Sequence, residues 1–187
     1  SMLLAIISSV CKMIALHSCA LISTHQHNHS HSHTTTTGSP FEFISNDQLK
    51  DASGKKVNLL GISGEILDEL GTKDDWSDTT VAWVSCTDEP DWADQCMNMF
   101  KTPSGVPIVD RVQEQCIYKA NKQVHFQDLK ERTGVDFKEM LFFDNESSNI
   151  QSVSKLGVCS VYCPDGMTEE IWRRGLREYE IRMRGVG

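Results

Sequence analysis

The chain contains no aspartate before Asp47 and no Asp-x-Asp pair anywhere in its 187 residues. It has no Cys-x-x-Cys pair either, so the spacing of a zinc ribbon is absent. Basic residues are in the minority: 18 Lys and Arg stand against 26 Asp and Glu, a formal net charge of −8 at pH 7. A protein built to neutralise a phosphate backbone carries the opposite balance, so nucleic acid is not expected as a partner. One local lysine would still suffice for a small phosphate. The apolar stretch from Met2 to Ile22 is broken by Lys12 and His17. A spanning helix needs about 20 predominantly apolar residues, so no stable membrane span is expected. No internal repeat is visible.

What is present is an ordinary globular composition, 39% hydrophobic and 24% charged. Seven cysteines are too many to ignore and odd in number. Cys86, Cys96, Cys116, Cys159 and Cys163 fall in or beside expected core elements, and free buried thiols in a reducing, cytoplasmic compartment are the expectation. The alternative is a secretory signal: Leu3 to Val10 could form its apolar core and Ser18-Cys19-Ala20 its cleavage site, but the usual basic start is absent. Residues 1–38 are therefore read as a leader and linker, and residues 39–187 as the folded domain. Within the leader, His25, His27, His29, His31 and His33 alternate before the run Thr34 to Thr37. Such a tract cannot bury a core. It reads as a solvated linker, as a transition-metal binder, or as a segment outside the native coding sequence.

From Ser39 onward the chain alternates between short strands and helices. Pro40 to Ile44 and Val57 to Leu60 are extended candidates, and Ser63 caps a helix through Ile66, Leu67 and Leu70 that Gly71 closes. Thr79 to Ser85 is β-branched and aromatic, a buried strand. Asp88 then caps a helix with Pro90 in its first turn and Trp92, Cys96 and Met99 inward, so Ser85 sits at a strand end beside a helix N-terminus. Gly105 to Val109 and Gln115 to Tyr118 are further strand candidates, and a helix from about Val124 to Thr133 stops at Gly134. A last helix begins at Thr168, with Glu169 and Glu170 in its first turn and Ile171, Leu176 and Tyr179 inward. This alternation predicts an α/β fold with a mostly parallel sheet and right-handed crossovers.

The most informative stretch is Met140-Leu-Phe-Phe-Asp-Asn-Glu-Ser-Ser-Asn-Ile150. An apolar run ends at Asp144, at the strand edge where open α/β sheets bind ligands. A helix follows through Ile150, Val153 and Leu156, stopped by Gly157. Phe-Phe-Asp-Asn-Glu-x-x-Asn-Ile, followed by Val-Ser-Lys-Leu-Gly-Val, resembles the fourth motif of magnesium-dependent phosphatases of the haloacid dehalogenase superfamily. Val84-Ser85-Cys86-Thr87-Asp88 resembles their second motif. Ile117-Tyr118-x-x-x-Lys122-x-x-His125-Phe126 resembles their third. The similarity runs from about Phe41 to Tyr179.

The resemblance implies a Rossmann-type parallel sheet flanked by helices with a minimal cap. It implies Ser85 and Lys122 as phosphate-binding residues and Asp144 as a Mg²⁺ ligand. Asn145 stands where the family usually has Asp; an amide oxygen can ligate a hard cation but brings no charge, so Mg²⁺ should bind more weakly. The substrates implied are phosphate monoesters, as a small ester such as a sugar phosphate or as a phosphorylated protein, phosphotyrosine included. The family attacks phosphate with an Asp on the central first strand, a second Asp two positions later acting as acid and base. That strand should end shortly before Phe41, and no such pair exists. No nucleophile is therefore identifiable. Cys86 would need a stabilised thiolate, and His125 is expected at the surface or behind the site. The central strand is expected to be missing or replaced, with Leu3 to Val10 the candidate replacement. The alternative to an impaired phosphatase is a non-catalytic protein that binds phosphate or a partner.

Overall fold

The computed structural model describes residues 11–17, 22–24 and 38–185, with His17 and Ile22–Thr24 described through the backbone alone. The described strands are β1 (Met13–His17), β2 (Ile22–Thr24), β3 (Glu42–Ser45), β4 (Gln48–Lys50), β5 (Lys56–Leu59), β6 (Thr80–Ser85), β7 (Glu114–Ile117), β8 (Met140–Asp144) and β9 (Cys159–Tyr162). The α-helices are α1 (Ser63–Thr72), α2 (Pro90–Met99), α3 (Lys122–Thr133), α4 (Ser147–Ser154) and α5 (Glu169–Met183). Five strands form a parallel sheet in the order β7-β6-β1-β8-β9. A four-stranded antiparallel sheet, β2-β5-β4-β3, is inserted between β1 and β6.

Side chains alternate between the two faces of a strand, and the core divides accordingly. Ile14 and Leu16, Val81 and Trp83, Leu141 and Phe143 share one apolar cluster with Ile66 and Leu67 of α1, Met97 of α2, and Trp172 and Leu176 of α5. Met13 and Ala15, Ala82 and Val84, Met140 and Phe142 join Phe126 and Leu129 of α3 and Val153 of α4 in the other. The result is three layers, helix, sheet and helix. Strands covered on both faces read as continuous apolar runs, which is why β6 and β8 were visible in the sequence. The small sheet joins the first layer through Leu49, Val57 and Leu59. Its turn is fixed to the segment after α2, where the Lys101 N–H donates to the Asn46 carbonyl at 2.8 Å.

The centre of the sheet differs from the expectation. Leu3 to Val10 lie outside the described residues, and β1 occupies the central place, bonded to β6 on one side and β8 on the other. The folded domain therefore reaches upstream of residue 39, and its central strand ends at His17 rather than just before Phe41. The physical reason is hydrogen bonding. A vacant centre would leave the facing edges of two buried strands unsatisfied, at about 1–3 kcal/mol per group. The ladder even extends to Lys12, whose N–H donates to Glu139 O at 3.0 Å and whose carbonyl accepts from Thr80 N at 2.9 Å. The histidine tract lies outside the described residues. Among the described residues, no helix is long and apolar enough to cross a membrane.

Smaller departures have local causes. Gly105 to Val109 is not a strand. Thr102 N donates to Val106 O at 2.8 Å, closing a turn, and Pro107 lacks the N–H a ladder needs. A 3₁₀ turn, Ile108–Arg111, follows. Ser63 opens α1 without capping it, because its hydroxyl donates back to Leu60 O at 2.5 Å. Gly71 lies inside α1 rather than closing it. Asp88 does not cap α2 either; Glu89 occupies that position, and Asp88 is engaged with Lys119. Thr168 does cap α5, accepting from Ile171 N at 3.2 Å.

Candidate functional site

Open parallel sheets bind ligands beyond the C-terminal ends of their strands, where the strand order reverses. Here it reverses at β1, with β6 and β7 on one side and β8 and β9 on the other. The register sets what surrounds that point. His17 is level with Val84, and Leu16 with Phe143. Ser85 and Asp144, the last residues of β6 and β8, therefore flank the end of the central strand. Both are buried.

Lys122 comes from the segment that follows β7. It is the first residue of α3, whose start is fixed by Asn121: the Asn121 side chain accepts from Gln123 N at 2.8 Å. Lys122 is only 2% exposed, far from the solvated lysine that sequence statistics favour. Its Nζ donates to the carbonyl of Val84, the residue before Ser85, at 3.1 Å. The hydroxyl, the ammonium and the carboxylate, widely separated in sequence, thus gather at one end of the sheet.

Asp144 ends β8 by folding back on the turn that follows. Its Oδ1 accepts from Glu146 N at 2.7 Å and its Oδ2 from Asn149 Nδ2 at 3.0 Å. These two bonds orient the carboxylate. Next to it, Asn145 Oδ1 is buried and has no hydrogen-bond partner among the described residues. A buried acceptor left unpaired costs about 1–3 kcal/mol, and a hard cation or a water would relieve it. Mg²⁺ takes oxygen ligands and commonly keeps several waters. An oriented carboxylate and, on the next residue, an unpaired amide oxygen are donors of the type that requirement names.

A hollow of about 480 Å³ opens between the N-terminal ends of α3 and α4, lined by Cys86, Lys119, Ala120, Asn121, Lys122, Glu146 and Asn149. Lys119 at this opening is paired with Asp88, at 2.8 Å to Oδ1 and 3.1 Å to Oδ2. That hydrogen bond and the carboxylate charge hold the Lys119 ammonium above its usual range.

Three features were not legible. Cys86 is exposed rather than buried, because it lies one residue beyond the end of β6. Of the two places expected for His125, the surface is excluded, since it is fully buried. It lies three residues after Lys122 on the inner face of α3, with Nε2 3.0 Å from Tyr118 O and its ring edge-on to Tyr118 at 4.3 Å. The role of Asn149 in bracing Asp144 was missed; its signal was the Asp-x-x-x-x-Asn spacing across the strand–helix turn.

A sequence model of the acid phosphatase family matches residues 27–182. The chain belongs to this family. Among the relatives of this acid phosphatase family member is a human protein named magnesium-dependent phosphatase 1. It is 31% identical over 140 residues, which cover 75% of this chain and 74% of that protein. A haloacid-dehalogenase-like hydrolase superfamily protein of Schizosaccharomyces pombe is 31% identical over 125 residues, covering 64% of this chain and 70% of that one. The magnesium complex of a haloacid dehalogenase family enzyme from Bacteroides thetaiotaomicron superposes with a TM-score of 0.56 at 18% identity, covering 88% of this chain and 99% of that one. The last shares the fold. The resemblance drawn from the three motifs is borne out: this is a member of the magnesium-dependent phosphatase family of the haloacid dehalogenase superfamily.

Proposed function

We propose that this chain binds a phosphate monoester and Mg²⁺ at the C-terminal edge of its parallel sheet, and that the chain as written turns the ester over poorly or not at all. The Ser85 hydroxyl and the Lys122 ammonium would hold phosphoryl oxygens. Asp144 and Asn145 would carry Mg²⁺, which when bound offsets charge on the phosphoryl group. The names of the related phosphatases support a phosphate ester as the ligand and magnesium as the ion. The ligand is a small ester or a phosphorylated protein, with a sugar phosphate or phosphotyrosine the forms the family resemblance suggests. Free thiols suit a reducing compartment, and we read the site as a cytoplasmic one.

One observation carries the impaired reading: the central strand ends in His17, with Cys19 two positions on, and the first aspartate of the chain is Asp47. An aspartyl-phosphate route needs a carboxylate at the end of that strand. The family match also begins at residue 27, after β1. Without an attacking carboxylate, Ser85, Lys122 and Asp144 retain what is needed to hold phosphate but not to displace an alcohol from it.

The test is an assay of the full chain with p-nitrophenyl phosphate and Mg²⁺, beside thermal melts with and without inorganic phosphate. The expected result is no turnover above the blank, with phosphate and Mg²⁺ together raising the melting temperature. Saturation at 100 times Kd corresponds to about 2.7 kcal/mol of stabilisation. The double variant His17→Asp/Cys19→Asp is expected to gain turnover. Robust turnover by the unaltered chain would sink the impaired reading, and no shift in melting temperature would sink phosphate binding.

A further inference from the structure

The hollow beside the site carries two ammonium groups in different situations. Lys122 is buried and bonded to Val84 O. Lys119, on the loop between β7 and α3, has a side chain 73% exposed and pairs with Asp88, itself 66% exposed. An ion pair between two solvated side chains contributes little and opens readily. Releasing Asp88 disrupts no helix cap, because Glu89 holds the N-cap position of α2 and its N–H is already bonded to Thr87 Oγ1 at 3.0 Å. The exchange Asp88 for another anion is therefore inexpensive at this position.

We propose that Lys119 is a specificity-determining residue, which exchanges Asp88 for a second anionic group on the ligand. The site would then prefer phosphate esters whose leaving group carries a carboxylate or a further phosphate. This rests on the phosphate-binding reading above and deepens it. The local charge gives the exchange a purpose. Asp88, Glu89, Asp91 and Asp94 crowd the start of α2, and the whole chain has a net charge of −8. A ligand with two anionic groups enters against that field, and Lys119 is the cation at the rim of the hollow that offsets it. Glu146 and Asn149 close the opposite side, the Glu146 carboxylate accepting from Asn149 Nδ2 at 3.2 Å. The second anion is thereby directed to the Lys119 side.

The experiment compares propylphosphonate with 3-phosphonopropionate by isothermal titration of the full chain in the presence of Mg²⁺. Neither can be hydrolysed, so the result does not depend on turnover. The doubly anionic ligand is expected to bind roughly 2- to 5-fold more tightly, the range for an exposed charge pair. Lys119→Gln should bring the two affinities together, and Asp88→Asn should widen the gap. Raising ionic strength to about 1 M, where the Debye length is about 3 Å, should also close it. A preference that survives in Lys119→Gln, or no preference in the unaltered chain, overturns the inference alone. Failure of both phosphonates to bind overturns the phosphate-binding reading with it.

Discussion

At the scale of single residues, burial decides what a side chain can do. Ser85 and Asp144 were recognisable because each ends an apolar run and precedes a polar turn. Lys122 was recognisable only through a family motif, since its burial depends on where α3 docks, a tertiary fact invisible in Lys119 to Lys122. Enclosing an ammonium is unfavourable unless it finds partners, and the Val84 carbonyl is one of them here. Lys122→Met keeps much of the stem volume and removes the charge. The melting temperature of the ligand-free protein is expected to move by no more than about 2–4 °C, roughly the shift from 1 kcal/mol in a chain of this size. The rise on adding phosphate and Mg²⁺ should disappear. Melts of the two proteins with and without phosphate measure both quantities, and a surviving phosphate-induced rise would remove Lys122 from the site.

Elements show where local signals suffice and where they fail. Helix α3 was legible in outline, from about Val124 to the stop at Gly134, whose φ of 73° is the left-handed conformation glycine favours. Strand β1 was not legible. Met13 to Leu16 read equally well as part of a leader, and only pairing with two distant strands identifies them. Helix α5 carries a further lesson. Gly175 is in its interior, where glycine costs about 1 kcal/mol relative to alanine. A Cβ there would meet Phe143 Cζ at 2.5 Å, Phe143 Cε1 at 2.6 Å and Val161 Cγ2 at 3.3 Å. The missing side chain lets α5 lie close over β8 and β9. For Gly175→Ala the overpacking, about 1–3 kcal/mol, is expected to outweigh the gain in helix propensity. Urea unfolding should show a lower midpoint with an unchanged slope. Because Phe143 immediately precedes Asp144, phosphate affinity should fall as well.

Across the whole molecule, the expected burial holds for Cys96, Cys116, Cys159 and Cys163, while Cys86 is exposed and Cys11 is a further buried thiol among the described residues. Burial pushes the thiols of Cys11, Cys96 and Cys163 up from 9.0 to about 12, and those of Cys116 and Cys159 up to about 11. A thiol whose folded pKa is raised favours folding while it remains protonated. Its contribution is complete below the unfolded value near 9 and is lost as pH climbs toward the folded value. Stability should therefore decline as pH rises from about 9 to 11, which melts at constant ionic strength across that interval would record. A flat profile would mean that these thiols titrate normally. The parallel sheet and its helices were foreseeable from alternation of elements, and Pro40 to Ile44 and Val57 to Leu60 anticipated β3 and β5, whereas β4 and the antiparallel pairing were not foreseen, because these strands are short, polar at many positions and joined by turns.

The position of β1 bears on how this polypeptide can be divided. A protease cut or an engineered junction in the histidine and threonine tract would look, on paper, like a trim between a tail and a domain. It would instead detach the middle rung of the sheet from everything built around it, so residues ahead of the tract belong in any fragment meant to stand by itself.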